Sequence, residues 1–186
     1  MKRLIVIEGF DRSGKDTLMK DLYQLNLPNT YIYFNNLEGL PKYDKEQDSF
    51  LGWLNKFIST QVETINKLFD SYDTVIMTRF LISDEVYSKL FNREHTCIKY
   101  MSRLRKDIEI KNYCILFNDY QEYVQRLNNI NDNDIQYNER EFDKINQLYI
   151  DVINKLNISS YMILHILSDT KPKTILNNFL TVYEYD

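Results

Sequence analysis

The sequence predicts an α/β fold in which a five-stranded parallel sheet carries helices on both faces. Three observations lead there. Short apolar runs alternate along the chain with longer segments of helical spacing. The apolar runs are nearly continuous, as strands buried on both faces require. The first of them ends in Gly9-Phe10-Asp11-Arg12-Ser13-Gly14-Lys15, a glycine-framed turn that leads straight into a helical pattern.

Taken in order, residues 2–8 form the first strand around Leu4-Ile5-Val6-Ile7. That run is too short for a signal-peptide core and meets Glu8 at once. Residues 15–25 read as a helix ended by Asn26 and Pro28. Residues 30–34 are the second strand, and 35–47, with Gly39 and Pro41, a loop. A long helix over 48–70 has Phe50, Leu51, Leu54, Phe57, Ile58, Val62, Ile65 and Phe69 at helical spacing. The third strand is 74–78, and 83–91 and 97–107 are helical. Residues 112–118 are the fourth strand, followed by a short helix over 121–128 and a polar, aperiodic loop over 129–137. The helix over 138–157 turns Phe142, Ile145, Tyr149, Val152 and Leu156 inward. Residues 161–167 are the fifth strand and 171–183 the last helix. With no repeat and no linker, residues 1–186 read as one domain, and 128–138 as a candidate lid.

Composition narrows the function classes. The chain is 44% hydrophobic and 27% charged, which excludes a disordered or fibrous protein. No apolar run reaches the ~18 residues of a membrane span. A net charge of −4 argues against sequence-blind nucleic-acid binding. Cys97 and Cys114 form no C-x-x-C spacing, and His95 and His165 stand far apart. The cysteines therefore read as buried thiols of a reducing, cytoplasmic compartment, and a zinc site has little support. The chain has no alanine and only 4 glycines. Each glycine is correspondingly informative.

The turn after the first strand fits G-x-x-x-x-G-K in the strand–turn–helix context the motif needs. Gly9 and Gly14 let the backbone wrap around phosphate oxygens. The N–H groups of Ser13 and of the helix N-terminus then face the anion, and Lys15 adds a point charge. One position departs from the motif. The residue after Lys15 is Asp16, followed by Thr17, where a hydroxyl residue usually meets Mg²⁺. Asp16 or Thr17 is expected to touch that ion, since a carboxylate is also a hard-cation ligand. The alternative is a helix-start acid favoured by the dipole.

Residues 7–17, Ile-Glu-Gly-Phe-Asp-Arg-Ser-Gly-Lys-Asp-Thr, resemble the thymidylate kinases, within the P-loop nucleoside monophosphate kinases. Val75-Ile76-Met77-Thr78-Arg79-Phe80 with Ser83 and Tyr87 is similar to that family's strand ending in Asp-Arg-Tyr. Ile115-Leu116-Phe117 followed by Gln125-Arg126-Leu127 resembles the strand and arginine-bearing helix before its lid. Tyr137, Phe142 and Tyr149 sit where the family has aromatics after the lid, and residues 164–169 resemble its nucleotide-base loop. The resemblance implies a P-loop NTPase-type three-layer fold and transfer of the γ-phosphate of ATP to dTMP, with Mg²⁺. It implies that Gly9, Arg12, Ser13, Gly14, Lys15, Asp16, Thr17 and Arg126 bind ATP. On the acceptor side it implies Asp11 for the sugar hydroxyl and Arg79 for the phosphate, with Phe57, Ser83, Tyr87 and Tyr137 around them. Arg12, Lys15 and Arg79 are the expected catalytic cations, and a homodimer through the long helix, with Trp53 and Phe50, is expected.

The family places its charge-neutralising arginine either in the P-loop or in the lid. Arg12 is present, and no Lys or Arg lies between residues 128 and 138, so the two observations agree on the P-loop variety. Other positions depart. Thr78 replaces the family's Asp, and residues 34–37 lack its arginine. Phe57 follows core spacing as well as it would suit a stacked base, and no arginine follows it closely. Other acceptors on the same fold, and a nucleotide-binding regulator without catalysis, therefore stay open. A nucleic-acid end kinase would need a basic groove, which the acidity disfavours.

Overall fold

The computed structural model describes residues 1–34, 47–93, 97–128, 136–155 and 161–184. Five strands, β1 (Lys2–Gly9), β2 (Thr30–Tyr33), β3 (Thr74–Thr78), β4 (Ile108–Phe117) and β5 (Tyr161–Ile166), form one sheet in the order β2-β3-β1-β4-β5. Every pairing is parallel. The described helices are α1 (Lys15–Gln24), α2 (Gln47–Leu68), α3 (Leu81–Leu90), α4 (Cys97–Met101), α5 (Tyr120–Asn128), α6 (Glu139–Lys155) and α7 (Pro172–Glu184).

The pleat of β1 divides the core in two. Ile5 and Ile7 point to one face, where α1, α5, α6 and α7 bury Leu22, Tyr123, Tyr149 and Phe179. Leu4 and Val6 point to the other, where α2 supplies Ile58, Val62, Ile65 and Phe69. This is the three-layer arrangement that near-continuous apolar strands require. No helix among the described residues is long and apolar enough to cross a membrane.

The segment 97–128 corrects the expected elements. α4 stops at Met101, so the helix expected over 97–107 is cut short, and β4 starts at Ile108 instead of residue 112. Ile108 and Ile110 alternate with Glu109 and Lys111, a period-2 pattern that pairs Lys2 with Ile108 along the lower half of β1. The Asn66 amide ends the helix. It donates to the Arg103 carbonyl at 2.8 Å and accepts the Arg105 N–H at 3.1 Å. The loop expected over 35–47, most of the candidate lid and the end of the helix expected to reach 157 lie outside the described residues.

Sheet order positions the site. The chain leaves β1 towards β3 and β2, then returns across β1 to β4 and β5. The carboxyl end of β1 is therefore the switch point, where ligands of open parallel sheets gather.

Candidate nucleotide-transfer site

The turn after β1 is a left-handed, glycine-dependent cradle. Gly9 has φ +130° and Gly14 φ +94°, and Arg12 is also left-handed at φ 63°. Close approach demands Gly9, because a Cβ there would lie 2.1 Å from the Ile115 carbonyl oxygen. The Phe10 N–H donates to that same oxygen at 3.1 Å. The Phe10 side chain pins the loop from beneath. Fully buried, it meets the rings of Phe142, Tyr123, Tyr137 and Phe117 at 5.0, 5.2, 5.6 and 6.0 Å. Sequence reasoning treated Phe10 as a free motif position; an aromatic inside a polar turn was the signal. Gly14 caps α1 with no side-chain bond of its own, and first-turn N–H groups have no intrahelical partner.

Lys15 turns back into this cradle. It is buried, donates to the Phe10 carbonyl and reaches Ser13 Oγ at 3.4 Å. Burial, helped by the nearby Arg79 charge, pushes its ammonium down to about 7 against the pull of Asp11, Asp16 and Glu8. An anion in the cradle would raise that value again. Binding of a phosphate tail is thus expected to take up a proton near neutrality and to weaken as pH rises above about 7. Calorimetry in buffers of different ionisation enthalpy measures that uptake.

Beside the cradle, Asp11 gathers three donors from three parts of the chain. Arg79 Nη2 contacts Oδ1, and the Tyr87 and Tyr137 hydroxyls donate to Oδ2 at 3.1 and 3.2 Å. Burial works to raise the Asp11 carboxyl, but the Arg79 and Lys15 charges and these bonds outweigh it and hold it below its ordinary value. The stabilisation from this ionised carboxylate is therefore complete above 3.8 and lost as pH falls below it. Asp11 and Arg79 keep 33% and 31% of their side-chain surface exposed, so an incoming ligand can reach the pair. The Tyr87 hydroxyl is pushed up to about 12 by burial and the Asp11 charge, so it remains a donor at neutral pH.

Arg79 itself stands at φ 53°, a strained position for a non-glycine residue. Its N–H donates to Ile7 O at 3.0 Å. The next turn is held by Glu8, which accepts the N–H groups of Phe80, Ile82 and Ser83 at 3.0, 3.1 and 3.2 Å. Glu8 takes the place of an N-cap for α3, whose own N-cap Phe80 has no side-chain bond. Sequence reasoning gave Glu8 no role; a carboxylate at the end of an apolar strand was the available signal.

The remaining expected residues fall in several places. Arg126 comes up to the cradle, with its Nη2 3.6 Å from where a Gly14 Cβ would lie and its guanidinium 6.0 Å from the Phe117 ring centroid. Its Nη1 is buried with no hydrogen-bond partner, and burial lowers its pKa. Arg12 is half-buried in the loop, and Asp16 and Thr17 are exposed on the first turn of α1. Ser83 is buried, and its hydroxyl contacts Glu8 and Tyr149. Phe57 is half-buried against the α2 side of the core and stacks on Trp53 at 4.8 Å. Thr78 is buried at the end of β3. Behind Arg126, α5 fastens the loop after β5, with Glu122 accepting the Ser168 N–H and Gln125 the Ser168 hydroxyl at 2.8 Å.

Solved structures share this architecture over almost the whole chain. Thymidylate kinase from Candida albicans matches with a TM-score of 0.66 at 16% identity, covering 99% of this chain and 92% of that one. Thymidylate kinase from Ehrlichia chaffeensis matches at 0.61 and 15%, covering 98% and 100%. The chain has the P-loop nucleotide-kinase fold. Deoxyadenosine kinase from M. mycoides with bound dATP shares it at a TM-score of 0.64 and 15% identity, covering 97% and 99%. No protein-family model and no curated protein matches the sequence.

Proposed function

We propose that this protein is an ATP-dependent kinase of deoxynucleoside monophosphates, with dTMP as acceptor and dTDP and ADP as products. The observation that carries the reading is the Asp11–Arg79 pair, reachable from solvent and adjacent to a lysine-filled phosphate cradle. Phosphoryl transfer asks a protein to align two anions and to neutralise charge. Lys15 and the loop amides hold the donor phosphates, and Arg12 neutralises the transferring group. Asp11 accepts the acceptor's sugar hydroxyl, and Arg79 holds its phosphate with a planar fork. The unpartnered Arg126 nitrogen faces the donor nucleotide.

Mg²⁺ arriving on ATP fits the residues present. Among the described residues no group of three His, Cys, Asp or Glu side chains could hold a metal alone. Mg²⁺ commonly takes one or two carboxylates plus substrate phosphates, and Asp16 offers one at the cradle's rim. It would supply charge neutralisation on the phosphates. Asp16→Ser is expected to lower Mg²⁺-dependent turnover about tenfold or more; unchanged kinetics would remove Asp16 from this role. The reading includes a homodimer through α2 and a cytoplasmic setting.

A second reading takes a deoxynucleoside as acceptor. It is favoured by one observation: a deoxyadenosine kinase from M. mycoides shares the fold over 97% of this chain at a TM-score of 0.64. Coupled ADP release with each deoxynucleoside monophosphate and each deoxynucleoside, with and without Mg²⁺, tests both. ADP release with dTMP supports the first, and release with a nucleoside alone supports the second. ATP binding with no ADP from any acceptor would leave a regulator. Asp11→Asn is expected to reduce acceptor kcat/KM roughly a hundredfold, since it removes the charge that three donors share.

A further inference from the structure

Tyr123 carries a hydroxyl where the packing asks only for a ring. It is fully buried on α5, with the rings of Phe10, Phe117 and Phe142 at 5.2, 5.5 and 5.5 Å. Phenylalanine would fill that space, and a phenol sealed from water is costly unless it finds a partner. Its partner is one backbone group: the Tyr137 N–H donates to Tyr123 Oη at 3.2 Å. The need is mutual. Tyr137 is buried just before α6, outside any strand or helix, so no ladder takes its N–H.

That bond completes the setting of Tyr137. Asn138 and Glu141 start α6 with a reciprocal cap. The Asn138 N–H donates to Glu141 Oε2 and the Glu141 N–H to Asn138 Oδ1, both at 3.0 Å. Tyr137 and Phe142 flank this cap, and both rings lie on Phe10, at 5.6 and 5.0 Å. Further along α6, the Tyr149 hydroxyl donates to the Gly9 carbonyl at 2.9 Å and ties the helix to the same loop. The cap fixes the peptide plane after Tyr137 through the Asn138 N–H. The Tyr120 hydroxyl, 3.5 Å from the Tyr137 carbonyl, adds a long contact on that plane. The Tyr123 oxygen fixes the plane before Tyr137. With both planes set, the direction of the side chain is set, and its hydroxyl reaches Asp11 Oδ2 at 3.2 Å.

We infer that Tyr123 is a positioning residue for the acceptor side of the site: by accepting the Tyr137 N–H, its hydroxyl oxygen aims the Tyr137 hydroxyl at Asp11. One side chain serves both ends of that contact. Its ring packs on Phe10, the neighbour of Asp11 in the loop, and its oxygen holds the residue that donates to Asp11. Burial, with Tyr87 and the Asp11 charge, pushes the Tyr137 hydroxyl up, so it keeps its hydrogen and donates at neutral pH. The benefit to turnover rests on the kinase reading, in which Asp11 receives the acceptor's sugar hydroxyl.

Amide hydrogen exchange of the unliganded protein tests the bond without any substrate. In the parent, the Tyr137 N–H is expected to be protected although it lies outside α6; exchange at the rate of a solvated amide would overturn the inference. Tyr123→Phe keeps the ring and removes the oxygen. It is expected to speed exchange at Tyr137 about tenfold, the worth of one such bond. The Phe142 N–H, which donates to the Asn138 carbonyl at 2.9 Å, is expected to keep its rate. An unchanged Tyr137, or equal acceleration at both amides, would mean that Tyr123 only packs. With tyrosine labelled at Cζ, the Tyr137 resonance is identified by its loss in Tyr137→Phe. It is expected to move in Tyr123→Phe while that of Tyr149 stays, and a Tyr137 resonance that stays as well overturns the aiming. In turnover, Tyr123→Phe is expected to lower acceptor kcat/KM about fivefold, leave the KM for ATP unchanged, and add nothing to Tyr137→Phe; additive losses would overturn the positioning role. An assay silent with every acceptor sinks the kinase reading alone, and the exchange rates and resonances still decide this one.

Discussion

Lys15→Met is expected to abolish the proposed ATP binding and, in the absence of nucleotide, to raise the melting temperature of the protein. Both effects come from one buried ammonium. With phosphates in the cradle, the charge on Lys15 meets its partner, and losing it is expected to cost on the order of 10²–10³-fold in turnover. Without phosphates the same charge has lost its water and has one carbonyl and a distant hydroxyl in exchange. The sign follows from linkage. Lys15 falls from 10.5 to about 7 on folding. Between those values the unfolded chain holds a proton that the folded chain has released, so stability rises with pH through that window. Below about 7 the full penalty of burying the charge is present, on the order of several kcal/mol. Methionine fills the same space without the charge. The melting temperature is expected to rise by several degrees, at about 2–4 °C per kcal/mol for a chain of this size. Differential scanning calorimetry at neutral pH, with and without Mg²⁺–ATP, reads both halves. ATP should stabilise the parent and leave Lys15→Met unmoved. A variant less stable than its parent when unliganded would show that the lysine is part of the fold's support.

Gly9→Ala is expected to destabilise the protein by at least ~3 kcal/mol, beyond the ordinary cost of overpacking. The added methyl group would meet the Ile115 oxygen at 2.1 Å, and the obstacle is strand backbone with no rotamer to change. The φ of +130° is a second, independent objection to any side chain. Relief would need β1 and β4 to separate where Gly9 pairs with Ile115. That separation would lift the Phe10 anchor and spread the cradle. Against a total stability of about 5–15 kcal/mol, such a loss shows plainly in urea unfolding. Gly52→Ala is the control, because a Cβ there meets nothing within 4 Å and α2 gains a better helix former. Equal stability of Gly9→Ala and its parent would mean that the two strands do not approach as described.

The two variants mark how far residue order could be read. Gly9, Gly14 and Lys15 were legible because glycine spacing, a preceding apolar run and a following helical period all lie within some twenty neighbouring residues. The same local rules placed all five strands, since continuous apolar runs bounded by turn residues are visible without any partner. They misplaced the boundary between α4 and β4. There, Ile108 and Ile110 declare a strand only once Lys2 and Leu4 are present to pair with, and Asn66 ends the helix from another element. Phe57 was undecidable on spacing, because a half-buried ring on α2 fits a core position and a ligand wall equally well.

Chemistry at the site depended on distance in space. Asp11 and Arg79 are 68 residues apart, Glu8 and Ser83 75, and Gly9 and Tyr149 140. Local order settled that a glycine-framed turn leading into a helix follows the first strand, because backbone geometry at glycine and the start of the next helix are properties of adjacent residues. Which carboxyl meets the arginine, which one is sealed beneath the loop, and which tyrosines serve them were decided by the strand order β2-β3-β1-β4-β5. Hydrogen bonds and charges act over a few ångströms, and only the folded sheet brings those side chains within that range.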